Sequence, residues 1–216
     1  MKSAIIFDFD YTLADSSKGV VACINYALQS MGEVPRPWEA CCATIGLSLP
    51  ATYAALTGKS HPERATMFHR LFVERADQIM ASRTELYRGV CGVVHGLATS
   101  GLMLGIVSTK FRYRILQILD RYDLTQSFSV IVGGEDVVQH KPDPEGIRLF
   151  LSKTSVKPEQ AVLVGDSLTD AETARRSGVD FVAVLTGTTS ADQFATYTPK
   201  AILSSVLDIE KYGIWA

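Results

Sequence analysis

The 216-residue chain has no stretch approaching the roughly 20 consecutive apolar residues that a membrane-crossing helix needs. Its opening, MKSAIIFDFD, carries an apolar run too short for the hydrophobic region of a secretory signal and meets acids at once, so no such signal is expected. An excess of one charge is also missing. The 21 Lys and Arg against 23 Asp and Glu leave a formal charge of −2, which gives no global attraction to nucleic acid or to an anionic membrane. Any anionic ligand must be drawn by local positive groups. Cysteine is sparse: Cys23, Cys41, Cys42 and Cys91 show no CxxC spacing, and two of them are adjacent. That argues against a disulfide framework and for a reduced, cytoplasmic protein. Repeats and low-complexity tracts are absent as well, and nothing in the sequence fixes an oligomeric state.

What is there suits a packed core, with 47% hydrophobic and 20% charged residues. The length favours one compact catalytic unit with a modest insertion. Short apolar runs without alternation fall at Ser3–Phe9, Leu102–Thr109, Ser129–Val132, Ala161–Gly165 and Phe181–Leu185. Such runs suit a parallel sheet covered on both faces. Helical spacing follows them, as in Tyr113, Leu116, Ile118, Leu119 and Tyr122, and in Ile147, Leu149, Phe150 and Leu151. The expected fold is α/β, a Rossmann-like doubly wound parallel sheet.

One gap interrupts the alternation. From Ser16 to Tyr87 only helical patterns occur. Val20, Val21, Ile24, Ala27, Leu28 and Met31 share one face behind a Ser16 or Ser17 cap, and Met67, Phe68, Leu71, Phe72, Ile79 and Met80 mark a second helix. This predicts an inserted α-helical cap over residues 16–87 and a core of residues 1–15 and 88–216. The hinges fall near Ala14–Lys18 and Tyr87–Val90. Ligands of open α/β sheets bind beyond the carboxyl ends of the strands, and an insertion leaving the first strand stands over that edge.

Polar residues collect at those ends. The first strand runs into Asp8-Phe9-Asp10-Tyr11-Thr12-Leu13 and the second into Ser108-Thr109-Lys110. The third leads to Lys141-Pro142-Asp143-Pro144, and the fourth into Gly165-Asp166-Ser167-Leu168-Thr169-Asp170. Four such groups, in this order, resemble the motifs of the haloacid dehalogenase-like hydrolase superfamily. Within it the chain is most similar to the phosphoglycolate phosphatase-like subgroup, which carries a helical cap after the first strand. The similarity spans nearly the whole chain.

That resemblance implies a Mg2+-dependent phosphatase acting on a small phosphorylated metabolite. Asp8 would attack phosphorus to form an aspartyl phosphate, dividing one hard step into two. Asp10 would protonate the leaving alcohol and then activate water. Mg2+ favours oxygen ligands and bridges phosphate oxygens. Its implied ligands are Asp8, Asp166, the backbone of Asp10 and, directly or through water, Asp170. Lys141 would offset charge and Ser108 would donate to a phosphate oxygen. Phe9, Thr12 and Thr109 would complete the phosphate cradle, and Gly46 lies in a cap loop, Ala43–Leu49, that touches substrate in relatives. Tyr11 stands where many relatives have glycine, Arg88 where they often have proline, and an arginine frequent just before the cap loop is missing.

Each residue alone has an ordinary explanation. Asp8 and Asp10 can be strand-end acids, Ser108 a strand-terminal serine, and Asp170 a helix N-terminal acid. Asp143 with Pro144 reads as a helix cap without catalysis. Lys141 is not explained that way, and the joint order of the motifs outweighs the separate readings. His61, His69, His95 and His140 lack ligand spacing and are read as surface or loop residues. Cys41 and Cys42 are read as cap packing, and Arg175-Arg176 before Gly178 as a helix C-terminus. Among competing functions, dehalogenases lack a carboxylate at the Asp10 position. A sugar phosphomutase usually has valine at the Thr12 position. Pyrophosphatase and nucleotidase activities stay open, and a non-catalytic phosphate-ligand sensor would bind without releasing phosphate.

Overall fold

Alternation within the first strand sets the layers. All four residues of β1 (Ala4–Phe7) are buried, yet Ile5 and Phe7 join one apolar cluster while Ala4 and Ile6 join another. Successive strand residues point to opposite faces, so this strand needs cover on both. The structure is a computed structural model and describes residues 2–213.

After β1 the chain forms a short strand β2 (Ala14–Asp15) and four helices, α1 (Ser17–Ser30), α2 (Trp38–Cys42), α3 (Leu49–Thr57) and α4 (Pro62–Ile79). It returns through β3 (Glu85–Leu86), which pairs antiparallel with β2. Helix α5 (Val90–Thr99), β4 (Met103–Val107), α6 (Arg112–Asp120), β5 (Val130–Val132) and α7 (Glu145–Thr154) follow. The chain continues through β6 (Ala161–Gly165), α8 (Leu168–Ser177), β7 (Asp180–Val184), α9 (Ala191–Phe194) and β8 (Ala201–Leu203).

Six strands make one sheet in the order β5-β4-β1-β6-β7-β8, and every pairing in it is parallel. Helices α5 and α6 cover the Ile5 and Phe7 face, and α7 and α8 cover the other. This is the doubly wound α/β arrangement expected. Its switch point lies at β1, whose carboxyl end is flanked by those of β4 and β6.

A third apolar cluster lies wholly within α1–α4 and the residue that follows. It includes Ile24, Leu28, Cys41, Tyr53, Phe68, Phe72 and Met80, with the Tyr53 and Phe68 rings 5.5 Å apart. Cys41 and Cys42 pack there, as expected.

Several local expectations shift. The edge strand β8 and the β2–β3 ribbon were not anticipated. Helix α6 is rotated from the expected phase: Arg114, Ile115, Ile118 and Leu119 are buried, whereas Tyr113 is exposed. Two helix starts are capped by neighbouring acids. Ser17 N donates to Asp15 Oδ1 at 2.9 Å while Ser16, at the cap position, makes no side-chain bond. Glu145 N donates to Asp143 Oδ1 at 2.9 Å, with Pro144 at the cap position. Gly178, at φ 75°, ends α8 as expected.

Candidate active site

Parallel register brings the strand-end residues together. Asp8 N donates to Val164 O at 2.9 Å, extending the β1–β6 ladder one residue past the strand. Asp8 therefore lies beside the start of Gly165-Asp166. Ser108 N donates to Val132 O at 3.0 Å at the end of β4. The turn after Asp8 closes on itself, Tyr11 N donating to Ala14 O at 2.7 Å with Tyr11 at φ 60°. A bulky residue in the left-handed region is uncommon. Thr186 Oγ1 donates to the Tyr11 carbonyl and helps to hold that turn.

Asp8, Asp166 and Asp170 are all buried and each offers a carboxylate oxygen within 4.8 Å of the others. Lys141 joins them, its Nζ 2.9 Å from Asp8 Oδ1 and 2.5 Å from Asp170 Oδ1. Asp170 Oδ2 accepts from Ser167 Oγ at 2.5 Å and Ser167 N at 3.2 Å, a capping box at the start of α8. The ordinary cap role of Asp170 and its place in the cluster thus coexist. Thr12 Oγ1, fully buried, donates to Asp166 Oδ1 at 3.2 Å, so its hydroxyl orients a carboxylate.

Crowding appears in the proton affinities. Burial raises the Asp8 carboxyl to about 6, with Lys141 lowering it and Asp170 and Asp10 adding to the rise. Burial, then Asp170 and Asp8, hold Asp166 well above the usual carboxylate range. Burial lowers Lys141, but Asp170 and Asp8 outweigh it and its ammonium is stabilised. One lysine is too little counter-charge for three buried acids. Asp8 Oδ1 and Asp10 Oδ1 also lack a hydrogen bond along a proper donor direction. An oxygen-only, anionic, under-compensated cluster fits a hard divalent cation such as Mg2+. Close packing preserves it: a Cβ on Gly187 would lie 1.9 Å from Asp166 Oδ2, and one on Gly165 would lie 2.5 Å from Asp170 Cγ.

The other expected residues surround this cluster or stand apart from it. Asp10 is paired by Lys110 Nζ at 3.0 Å, both buried. Ser108 Oγ accepts from Lys110 N at 3.3 Å. Thr109 Oγ1 donates to Gly46 O at 3.3 Å, joining the sheet edge to the loop after α2. Phe9 is different: its side chain belongs to the apolar core, so only its backbone faces the turn.

A cleft of about 690 Å³, its open mouth included, lies between the sheet edge and α1–α4. Asp10, Gly46, Thr109 and Lys110 line it, and so do His69, Arg114 and His140. The surface-or-loop reading of His69 fails because α4 turns it toward the cleft, where burial, His140 and Arg114 lower its pKa. His140 keeps its place in a loop, with Nδ1 buried and unpartnered. Lys110, two residues past Ser108, was legible as a strand-end cation. Arg114 was hidden by the wrong helix phase, and the two histidines by contacts remote in sequence.

Comparisons with known proteins follow the same lines. The family model described as haloacid dehalogenase-like hydrolase matches residues 5–184. The chain is 29% identical over 227 aligned positions to the phosphoglycolate phosphatase of Salmonella typhimurium, covering 95% of this chain and 90% of that protein. A crystal structure from Bacteroides fragilis, assigned as a haloacid dehalogenase-like hydrolase, is 36% identical. It superposes with a TM-score of 0.94 over 97% of this chain and 100% of that one. A Clostridium acetobutylicum protein classed as a phosphatase shares the fold at 21% identity, with a TM-score of 0.92 over 100% of both chains.

Proposed function

The chain belongs to the haloacid dehalogenase-like hydrolase family, and from that premise we propose that it is a phosphoric monoester hydrolase acting on a small phosphorylated metabolite. The observation that carries the proposal is the Asp8–Lys141–Asp170–Asp166 cluster at the switch point of the sheet, with Asp10 two residues beyond Asp8. The curated phosphoglycolate phosphatases support the reaction class.

Asp8 is the nucleophile and forms the aspartyl phosphate. Lys141 holds its Oδ1 and lessens the repulsion between an anionic phosphate and an anionic nucleophile. Asp10 gives its proton to the leaving oxygen, then removes one from the water that cleaves the acyl phosphate. Lys110 fixes Asp10 in the cleft, Ser108 presents its hydroxyl to the phosphoryl oxygens, and the backbone N–H beside Thr109 completes the phosphate cradle. Asp8, Asp166 and the Asp10 carbonyl are the proposed Mg2+ ligands. Asp170, with both oxygens already bonded to protein, acts through water or by holding Lys141. When bound, the cation offsets charge on the phosphoryl oxygens and the carboxylates.

Residues 16–87 form the proposed cap over a core of residues 1–15 and 88–216. A separate apolar cluster supports this division, as does the pairing of the two crossings in the β2–β3 ribbon. Four unbridged cysteines support a reducing, cytoplasmic setting. The test is release of inorganic phosphate from an aryl phosphate and a panel of small monoesters, with Mg2+ and with chelator. Chelation should abolish release, and Asp8→Asn should lower it at least ~10^3-fold with the fold intact. A folded Asp8→Asn protein with wild-type turnover would sink the assignment.

A further inference from the structure

Tyr11 is the joint between two residues of the centre. Asp10, paired with Lys110, precedes it. Thr12, whose hydroxyl donates to Asp166 Oδ1 at 3.2 Å, follows it. The two dihedrals of Tyr11 therefore set how Asp10 and Thr12 stand to one another. Its φ is 60°, a left-handed conformation that costs any residue with a Cβ and persists only where the surroundings impose it. Hydrogen bonds within the turn supply part of that constraint. Tyr11 N donates to Ala14 O at 2.7 Å, and Leu13 N and Ala14 N donate to Phe9 O at 3.0 and 3.1 Å. None of these holds the Tyr11 carbonyl. That carbonyl accepts from Thr186 Oγ1, a half-buried residue far along the chain.

Thr186 lies in the loop after β7, and the loop is itself fastened. Its first residue continues the β7–β8 pairing, Leu185 N donating to Leu203 O at 3.0 Å. Its third, Gly187, lies so close to the Asp166 carboxylate that a Cβ there would stand 1.9 Å from Oδ2. One short segment thus touches both sides of the Thr12–Asp166 hydrogen bond: the turn that carries the donor and the carboxylate that accepts. The turn's internal bonds set its shape, and this loop sets where that shape stands against Asp166.

We propose that Thr186 is a positioning residue for the centre. By holding Tyr11 in the left-handed conformation it keeps the Asp10 carbonyl and, through Thr12, the Asp166 carboxylate in the relation that Mg2+ requires. The inference rests on the ligand set of the phosphatase reading and adds to it a residue that acts only through others.

Mg2+ binding, measured by calorimetry without substrate, tests this apart from turnover. Thr186→Val keeps the shape of the side chain and removes the donor. It should weaken Mg2+ binding about fivefold, the worth of one neutral hydrogen bond, and lower kcat on an aryl phosphate with KM within about twofold. Thr186→Ser, which restores the hydroxyl, should return Mg2+ affinity to within about twofold of the parent. Tyr11→Gly is the discriminating background, because glycine enters the left-handed region without help. There Thr186→Val should cost less than about twofold, a coupling that a double-mutant cycle reads directly. Thr186→Ala takes its place in the same cycle if the valine is not accommodated. Unchanged Mg2+ affinity in Thr186→Val overturns the proposal, and so does a failure of Thr186→Ser to recover it. Equal loss in both backgrounds also overturns it, since Thr186 would then only stabilise the fold. Failure of the phosphatase reading appears separately, as absence of phosphate release from every ester by the unmodified protein, while the Mg2+ cycle still decides the role of Thr186.

Discussion

The carboxyl edge of the sheet and the layer of helices α1–α4 are both well buried, but they are built from opposite materials. At the sheet edge, Asp8, Asp10, Lys110, Lys141, Asp166 and Asp170 lie within the protein. In the helical layer the buried cluster is Val, Ile, Leu, Cys, Tyr, Phe, Ala and Met, and among the described residues of α1–α4 no Asp, Glu, Lys, Arg or His is buried. The first region holds charges that repel one another against a solvent they cannot reach, which costs free energy. The second follows ordinary packing. The difference separates what the chain does from what merely keeps it folded. Residues at the sheet edge hold charge at a cost in stability, whereas the buried apolar residues of the helical layer hold its packing.

Breaking the charged side should give the largest effect. Lys141→Ala removes the one lysine that touches both Asp8 and Asp170. Leaving buried charge unpaired costs on the order of 3–5 kcal/mol. Denaturant melts should therefore show a large loss, together with loss of phosphate release at every substrate concentration. A Lys141→Ala protein as stable and active as the parent would remove the premise of the comparison.

The apolar side should break differently. Phe68 is fully buried and lies against Tyr53 and Phe72. Phe68→Ala should cost about 3–5 kcal/mol, with the activity of the still-folded fraction, scored at low temperature, falling far less than in Lys141→Ala. Equal collapse of activity in both would show that the two regions are not separable.

Proton linkage sharpens the contrast with a smaller effect. The Asp8 carboxyl sits at about 6 in the folded chain against an ordinary value of 3.8. Its stabilising contribution is complete below pH ~4 and is lost as pH rises through ~6, because the folded chain holds a proton that the unfolded chain has released. The shift corresponds to at most about 3 kcal/mol. In chelator, the wild-type melting temperature should therefore fall relative to Asp8→Asn between pH 4 and pH 7. Mg2+ should recover that loss above pH 6. A pH-independent difference between the two proteins would contradict a buried, proton-hungry Asp8.

The same division explains what could be read beforehand. Continuous apolar runs are strong signals, so β1, β4, β5, β6 and β7, and the polar groups that follow the first four of them, are legible from sequence. Three-residue β8 is a weaker signal, because Ile202 faces solvent between buried Ala201 and Leu203. The two-residue strands β2 and β3 exist only through each other. In α6 the aromatic Tyr113 invited an inward placement, yet the buried position belongs to the cation beside it, stabilised from α4. Thr12 was expected to meet phosphate but donates to Asp166, a partner 154 residues away. Local pattern carries the elements. It does not carry which polar atoms find each other across the sheet.

The placement of β1 also orders events during synthesis. The strand that bears Asp8 is made first, yet its register partners are Met103–Ile106 on one side and Ala161–Val164 on the other. Helices α1–α4, by contrast, pack largely on their own neighbours in the chain. Low sequence separation favours early folding and high separation delays it. On the ribosome the helical layer can therefore assemble while β1 waits with both edges unpaired. Asp8 meets Lys141, Asp166 and Asp170 only after about three-quarters of the chain has emerged, so no shorter nascent chain holds the assembled cluster.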